Sequence, residues 1–350
     1  MAARGYIDLR SDTVTLPTEE MLEAIKTAEL GDDVFGEDPT VNRLEEMAAK
    51  KMGNEAAMLV PSGTMGNLVS VTSNTKRGDS AILEAESHIY WHEVGGISAI
   101  AGVMPLPVKG TMGVMSPLDV EAAIRPRTIH SAETTLVCIE NTHNRAGGTI
   151  VTPAQVEAVS KVTKKHGLKL YLDGSRIFNA AVALKTDVRE FTKHVDNLMF
   201  CLSKGLSCPI GSIVVGNQEF IEKARKVRKI LGGGMRQAGV IAAPGIIALE
   251  KMIDRLEDDH RNARLLAEGL SKMEGLNVDL RAVQTNIVVL DVSSLGISAE
   301  LFTKRLKDHC VLALSRDKKR IRLVTHRGIE QEDIEKALAA TEEVAKELRL

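Results

Sequence analysis

Leu168-Lys169-Leu170-Tyr171-Leu172-Asp173-Gly174-Ser175-Arg176 is a short apolar run closed by a carboxylate. Phe200-Cys201-Leu202-Ser203-Lys204-Gly205 is a second such run, and its amine stands 31 residues after that carboxylate. Runs of this length and β-rich composition read as buried strands rather than helices. Between and around them lie helical patterns, such as 153–166, for which Thr152 is a suitable N-cap and Gly167 a suitable stop. Working outward, further strands are expected at 56–60, 80–84, 103–108, 135–140, 197–202 and 212–215. Short strands alternating with helices predict an α/β fold with a mainly parallel sheet covered on both faces. Ligands of such sheets bind beyond the carboxyl ends of the strands, which is where Asp173 and Lys204 fall.

After Gly232-Gly233-Gly234 the pattern is helical to about residue 273, and Pro244-Gly245 predicts a kink or a boundary within it. From about residue 277 strands return, at 285–291, 311–314 and 320–324, with helices near 299–308 and 330–348. This predicts a large domain over residues 1–250, including an N-terminal arm, and a smaller C-terminal α+β domain over 251–350.

A chain of 350 residues with 44% hydrophobic composition has enough apolar side chains for such cores. Its net charge of −2, with acidic and basic residues interleaved, gives no electrostatic footprint for nucleic acid or an anionic membrane. Four scattered cysteines without a C-x-x-C pair suggest neither a disulfide framework nor a zinc site. Residues 1–9 lack an apolar signal core, and no apolar run reaches the length of a membrane span. The expectation is a cytoplasmic protein acting on a small polar substrate.

Several polar residues follow the expected strands. Asp173 is placed to hold a pyridinium nitrogen in its protonated state, or equally to cap the helix after it. Lys204 at a buried strand end is suited to imine formation, although a lone Lys-Gly is more often solvated. Ser62, Gly63 and Thr64, between a strand and a helix, resemble a phosphate cradle of backbone N–H groups and hydroxyls, or an ordinary capped turn. His88 follows the strand 80–84, where an imidazole can stack on a flat ring and exchange protons. His92 lies four residues on, but the intervening residues lack the glutamate of a zinc-binding helix, so no metal is expected. Arg176 and Arg322 offer the planar fork that suits a carboxylate. Alternation puts Arg322 on the face of Arg320, opposite Ile321.

These residues stand in a longer series of matches. Ile7-Asp8-Leu9-Arg10-Ser11-Asp12-Thr13-Val14-Thr15, Gly31-Asp32-Asp33-Val34-Phe35-Gly36-Glu37-Asp38-Pro39-Thr40, Glu140-Asn141-Thr142-His143-Asn144, Gly232-Gly233-Gly234-Met235-Arg236-Gln237 and Arg322-Leu323-Val324-Thr325-His326 follow in order along nearly the whole chain. With the segments above, the sequence resembles the low-specificity L-threonine aldolases, PLP-dependent lyases of the aspartate aminotransferase-like fold (fold type I).

The resemblance implies pyridoxal 5'-phosphate (PLP) bound as a Schiff base on Lys204, with Asp173 at the pyridine nitrogen, His88 on the ring, and Gly63 and Thr64, assisted by Ser203, at the phosphate. Ser11, Arg176 and Arg322 would bind the substrate carboxylate. Lys229 and Arg236 would reach a cofactor in a neighbouring subunit, implying a homo-oligomer, a tetramer built as a dimer of dimers. His130 would lie near the substrate β-hydroxyl, and His88 and His130 remain alternative bases. The implied reaction is cleavage of threonine, allo-threonine and related β-hydroxy-α-amino acids to glycine and an aldehyde. The alternatives are another PLP reaction on this scaffold, such as β-elimination, transamination or hydroxymethyl transfer, or a homologue that binds PLP without turnover. The sequence departs from the family's usual pattern at Phe35, Glu133 and Ser175, where tyrosine, arginine and alanine are customary.

Overall fold

A computed structural model describes residues 5–349; residues 1–4 of the stretch read for a signal core lie outside the described residues. The strands, in chain order, are β1 (Ile7–Asp8), β2 (Ala56–Val60), β3 (Ser80–Glu84), β4 (Met104–Val108), β5 (Thr134–Glu140), β6 (Lys169–Asp173), β7 (Asn197–Cys201), β8 (Ser212–Gly216), β9 (Ile287–Asp291), β10 (Val311–Leu312), β11 (Leu314–Ser315) and β12 (Arg320–Val324). A seven-stranded sheet runs in the order β2-β8-β7-β6-β5-β3-β4. Only β8 opposes its neighbours, pairing antiparallel with β2 and β7. The carboxyl ends of the other six therefore share one edge.

Alternation along these strands feeds two separate cores. Leu59, Ile82, Val137, Leu170, Leu172, Phe200 and Ile213 pack on one face. Met58, Leu83, Leu136, Tyr171, Met199 and Val214 pack on the other. The helix Pro153–His166 shows the local logic in full. Thr152 accepts from the Gln155 N–H, Gln155 reciprocates as a capping box, and Gly167 ends the helix at φ 67°.

Two expectations are corrected. Of the two alternatives at Pro244, the boundary is not found: Gly239–Lys251 runs through it, and the break before Leu256–Leu270 falls at residues 252–255. The glycine beside Pro244 explains the sequence pair. A Cβ on Gly245 would come within 2.8 Å of Leu44 Cδ2, so this helix packs against Pro39–Met52 by virtue of a missing side chain. The expected strand at 311–314 is two short strands in different sheets, β10 pairing with β1 and β11 with β12.

A third core gathers residues from the C-terminal segment, including Leu266, Val288, Phe302, Ile321 and Val344. Leu9 belongs to it as well, fully buried, and its carbonyl accepts from the Val324 N–H. The antiparallel sheet β11-β12-β9 lies over this core. In β12, Ile321 and Leu323 point into it while Arg320 and Arg322 occupy the other, half-buried face, as alternation predicts.

Candidate active site

The common strand edge assembles most of the expected residues. Asp173 closes β6, and Lys204 lies three residues beyond the end of β7, its parallel neighbour. His88 follows β3, Ser62 to Thr64 follow β2, and Asn144 follows β5. Arg322 arrives from β12 and Ser11 from the N-terminal segment.

Asp173 is almost fully buried and its oxygens are partnered. Oδ1 accepts from the Ser175 N–H at 3.1 Å and from its hydroxyl at 2.7 Å, and Oδ2 accepts from Asn67 Nδ2 at 2.8 Å. Asn67 is fully employed. It accepts from the Tyr171 hydroxyl at 2.6 Å and gives its second N–H to Glu93 Oε1 at 2.7 Å. Glu93 Oε1 also lies 2.8 Å from His88 Nδ1. Burial raises Glu93 above the usual carboxylate range, reinforced by Asp173. Burial opposes a charged His88, but the Glu93 hydrogen bond and the charges of Asp173 and Glu140 outweigh it and raise the imidazole. One ligating atom each from His88, Glu93 and Asp173 lies within 4.8 Å of the others. All three belong to one hydrogen-bonded network, through Asn67 or His88.

Arg176 makes a buried bidentate pair with Asp12, Nε and Nη2 each 2.7 Å from a carboxylate oxygen. Burial alone would raise Asp12, yet Arg176, with Lys204 nearby and Asn286 donating, holds it well below the carboxylate range. Arg322 reaches Asn144 Oδ1 at 2.8 Å and the Arg10 carbonyl at 3.1 Å, both neutral partners. Burial and the charge of Arg176 lower it to about 10. Ser11 is buried, and its hydroxyl accepts from the Thr13 N–H.

The cradle after β2 is shaped for close approach. Ser62 caps the helix Gly63–Asn74, and a Cβ on Gly63 would sit 2.9 Å from Cys201 Sγ and 3.0 Å from Met199 Cε. Thr64 is exposed, and Ser203 and Lys204 are half-buried beside this edge. An anion-accepting helix start, a strand-end amine, a buried carboxylate and an imidazole form the donor set that pyridoxal phosphate requires.

Other expected residues lie elsewhere in this chain. His130 is exposed in the loop before β5; Glu133, three residues on, bonds to Ser80 at the amino end of β3, the edge opposite Asp173. The loop closes on itself through the Arg127–Glu133 ion pair. Lys229 and Arg236 are exposed, and Arg236 pairs with Asp32 at 2.9 Å. Phe35 is 71% exposed in the adjoining turn. Glu93, Asn67 and Asp12 were not singled out from sequence. Asp12 did lie inside a quoted motif, which was the available signal; Asn67, three residues after Thr64, and Glu93, five residues after His88, carried none.

A family model for beta-eliminating lyases matches residues 8–293. The chain belongs to that family. It is 47% identical over 338 residues to low-specificity L-threonine aldolase 1 of Arabidopsis thaliana, covering 95% of this chain and 94% of the relative. It is 40% identical over 334 residues to the low specificity L-threonine aldolase of Escherichia coli K12, covering 95% and 97%. Among solved structures, a Leishmania major threonine aldolase superposes with a TM-score of 0.83 at 19% identity over 97% of this chain and 99% of that one. An aspartate aminotransferase from Rhizobium meliloti gives 0.72 at 16% identity over 97% and 91%. The family member described here therefore has the expected aminotransferase-like fold.

Proposed function

We propose that the chain is an L-threonine aldolase that splits threonine, allo-threonine and related β-hydroxy-α-amino acids into glycine and an aldehyde, with PLP as cofactor. The observation that carries this reading is the shared strand edge, which brings Asp173, Lys204 and His88 together with two arginines. Lys204 would hold the cofactor covalently, Asp173 its pyridine nitrogen, and Gly63, Thr64 and Ser203 its phosphate. When bound, PLP supplies an electron sink for the charge left at Cα as the Cα–Cβ bond breaks.

The protein's own groups do the rest. Arg322, with neutral partners only, is free to take the substrate carboxylate, aided by Ser11 and by Arg176, whose Asp12 pair leaves Nη1 uncommitted. Glu93 holds Nδ1–H of His88, so Nε2 of the neutral imidazole is the acceptor for the β-hydroxyl proton. His88, not His130, is the base that this chain's geometry favours. Asn67 binds both carboxylates, so it would orient Asp173 for the pyridine nitrogen and, through Glu93, hold His88. Lys229, Arg236 and exposed Phe35 form a surface suited to completing a neighbouring subunit's site in a homo-oligomer.

The test is turnover by the purified protein with added PLP. Acetaldehyde and glycine should appear in equal amounts from L-threonine and L-allo-threonine. Formation of a keto acid or ammonia instead would replace this reading with transamination or β-elimination.

A further inference from the structure

Beyond the α-carboxylate clamp, the site carries cationic groups that the cleavage of threonine does not use. A cavity of about 340 Å³ is bounded by His88 and Arg322 and also by Asn144, Arg145, Ser315 and Arg316. Arg145 and Arg316 share a single anion: their Nη2 atoms each lie 3.2 Å from a different oxygen of Glu86, which is itself 41% exposed. Arg145 also lies over the Trp91 ring, 4.8 Å from its centroid. The Arg316 side chain is 9% exposed, and the Nε atoms of both arginines are buried without a hydrogen-bond partner. Burial lowers Arg316, and Arg320 and Arg145 add to the effect. Three guanidinium groups thus line the cavity, and two of them share the Glu86 carboxylate.

Two cavity-lining guanidiniums share one partly exposed carboxylate through their Nη2 atoms, so the pair has fork donors left for a second anion. Threonine's β-methyl offers nothing to them. We infer that Arg145 and Arg316 are specificity-determining residues that select substrates whose β-side chain ends in a carboxylate, 3-hydroxyaspartate being the shortest. This rests on the aldolase reading. The chemistry balances without a further reactant: the Cα–Cβ bond breaks, the hydroxyl proton passes to the base, Cα gains a proton, and the products are glycine and glyoxylate. Arg322 binds the α-carboxylate while the Arg145–Arg316 pair binds the second one.

The experiment compares kcat/KM of the PLP-loaded enzyme for 3-hydroxyaspartate, for its neutral isostere 3-hydroxyasparagine, and for threonine. The wild type should prefer the acid over the amide by about tenfold or more, as expected when a site's charged donors are left unpaired by the wrong substrate. Arg316→Gln and Arg145→Gln should each reduce that acid-to-amide ratio by a similar factor. Threonine cleavage with equal rates on acid and amide by the wild type overturns the inference and leaves the aldolase reading intact. So does a ratio that survives in both variants. Absence of threonine cleavage overturns both. A wild-type ratio near one decides against the inference even if a variant fails to fold, and loss of the ratio in either folded variant supports it.

Discussion

Glu93 Oε1 lies 2.8 Å from His88 Nδ1, with Asn67 donating to the same oxygen from the other side. This relationship sets both the tautomer and the proton affinity of the proposed base. Because Glu93 raises His88, and the neutral imidazole is the reactive form, kcat/KM falls as pH drops through the raised value. Glu93→Gln removes the charge, so the acidic limb of the kcat/KM profile should move to lower pH, with kcat reduced about tenfold or more by loss of orientation. His88→Ala should cost about 10²- to 10⁴-fold. A profile unmoved in Glu93→Gln would rule out this role.

Lys204→Ala should lose the visible absorption of the lysine-bound cofactor and nearly all cleavage. Absorbance titration with PLP and an acetaldehyde assay read the two effects separately. A variant that keeps both would refute the assignment of Lys204.

Arg322→Lys keeps the charge but loses the planar fork. A charge-assisted hydrogen bond to a carboxylate contributes about 1.5–3 kcal/mol, so KM for threonine should rise roughly 10- to 100-fold, with a smaller change in kcat. An equal fall in kcat at constant KM would place Arg322 outside ground-state substrate binding.

Asp12→Ala strands the buried Arg176 guanidinium, and breaking such a pair costs about 3–5 kcal/mol. Urea unfolding measures it. The pH dependence has a definite sign. Asp12 is depressed in the folded state, so its stabilisation is complete above the ordinary aspartate value of 3.8 and is lost as pH falls below it. Asp12→Asn should therefore be less stable than the wild type near neutrality and show a smaller loss of stability on acidification.

Gly63→Ala forces a methyl group against Cys201 and Met199. Overpacking of this kind costs about 1–3 kcal/mol. The helix start should shift off β7, and the affinity for PLP should fall more than the thermal stability. Unchanged PLP binding would show that the cradle tolerates the displacement.

Much of this architecture was readable in the chain. The strands of the large sheet are runs five to seven residues long, and the expected bounds for β2 and β3 agree with the structure to the residue. Asp173 and Lys204 were legible because each ends a run, and a strand end is a place that sequence can mark. Pro244 misled because local backbone chemistry was outweighed by the contact of Gly245 with Leu44. The network around the base was hidden for a different reason. Asn67 meets Asp173 across 106 residues and Asp12 meets Arg176 across 164, so their pairing is a product of strand order rather than of spacing. His130 shows the converse: a matching motif position, read from resemblance, does not bring a side chain to the site within one chain.

The pairing of β1 with β10 has a consequence for how the protein is made. Ile7 and Asp8 are synthesised 304 residues ahead of Val311 and Leu312, their partners. At roughly 5–20 residues per second the early strand waits on the order of 15–60 s for its mate. Throughout that interval, in which the large sheet itself is synthesised, Leu9, buried once folding is complete, lacks the C-terminal core it packs into. Chaperone contact with the β1 segment should therefore persist until β10 and β12 emerge.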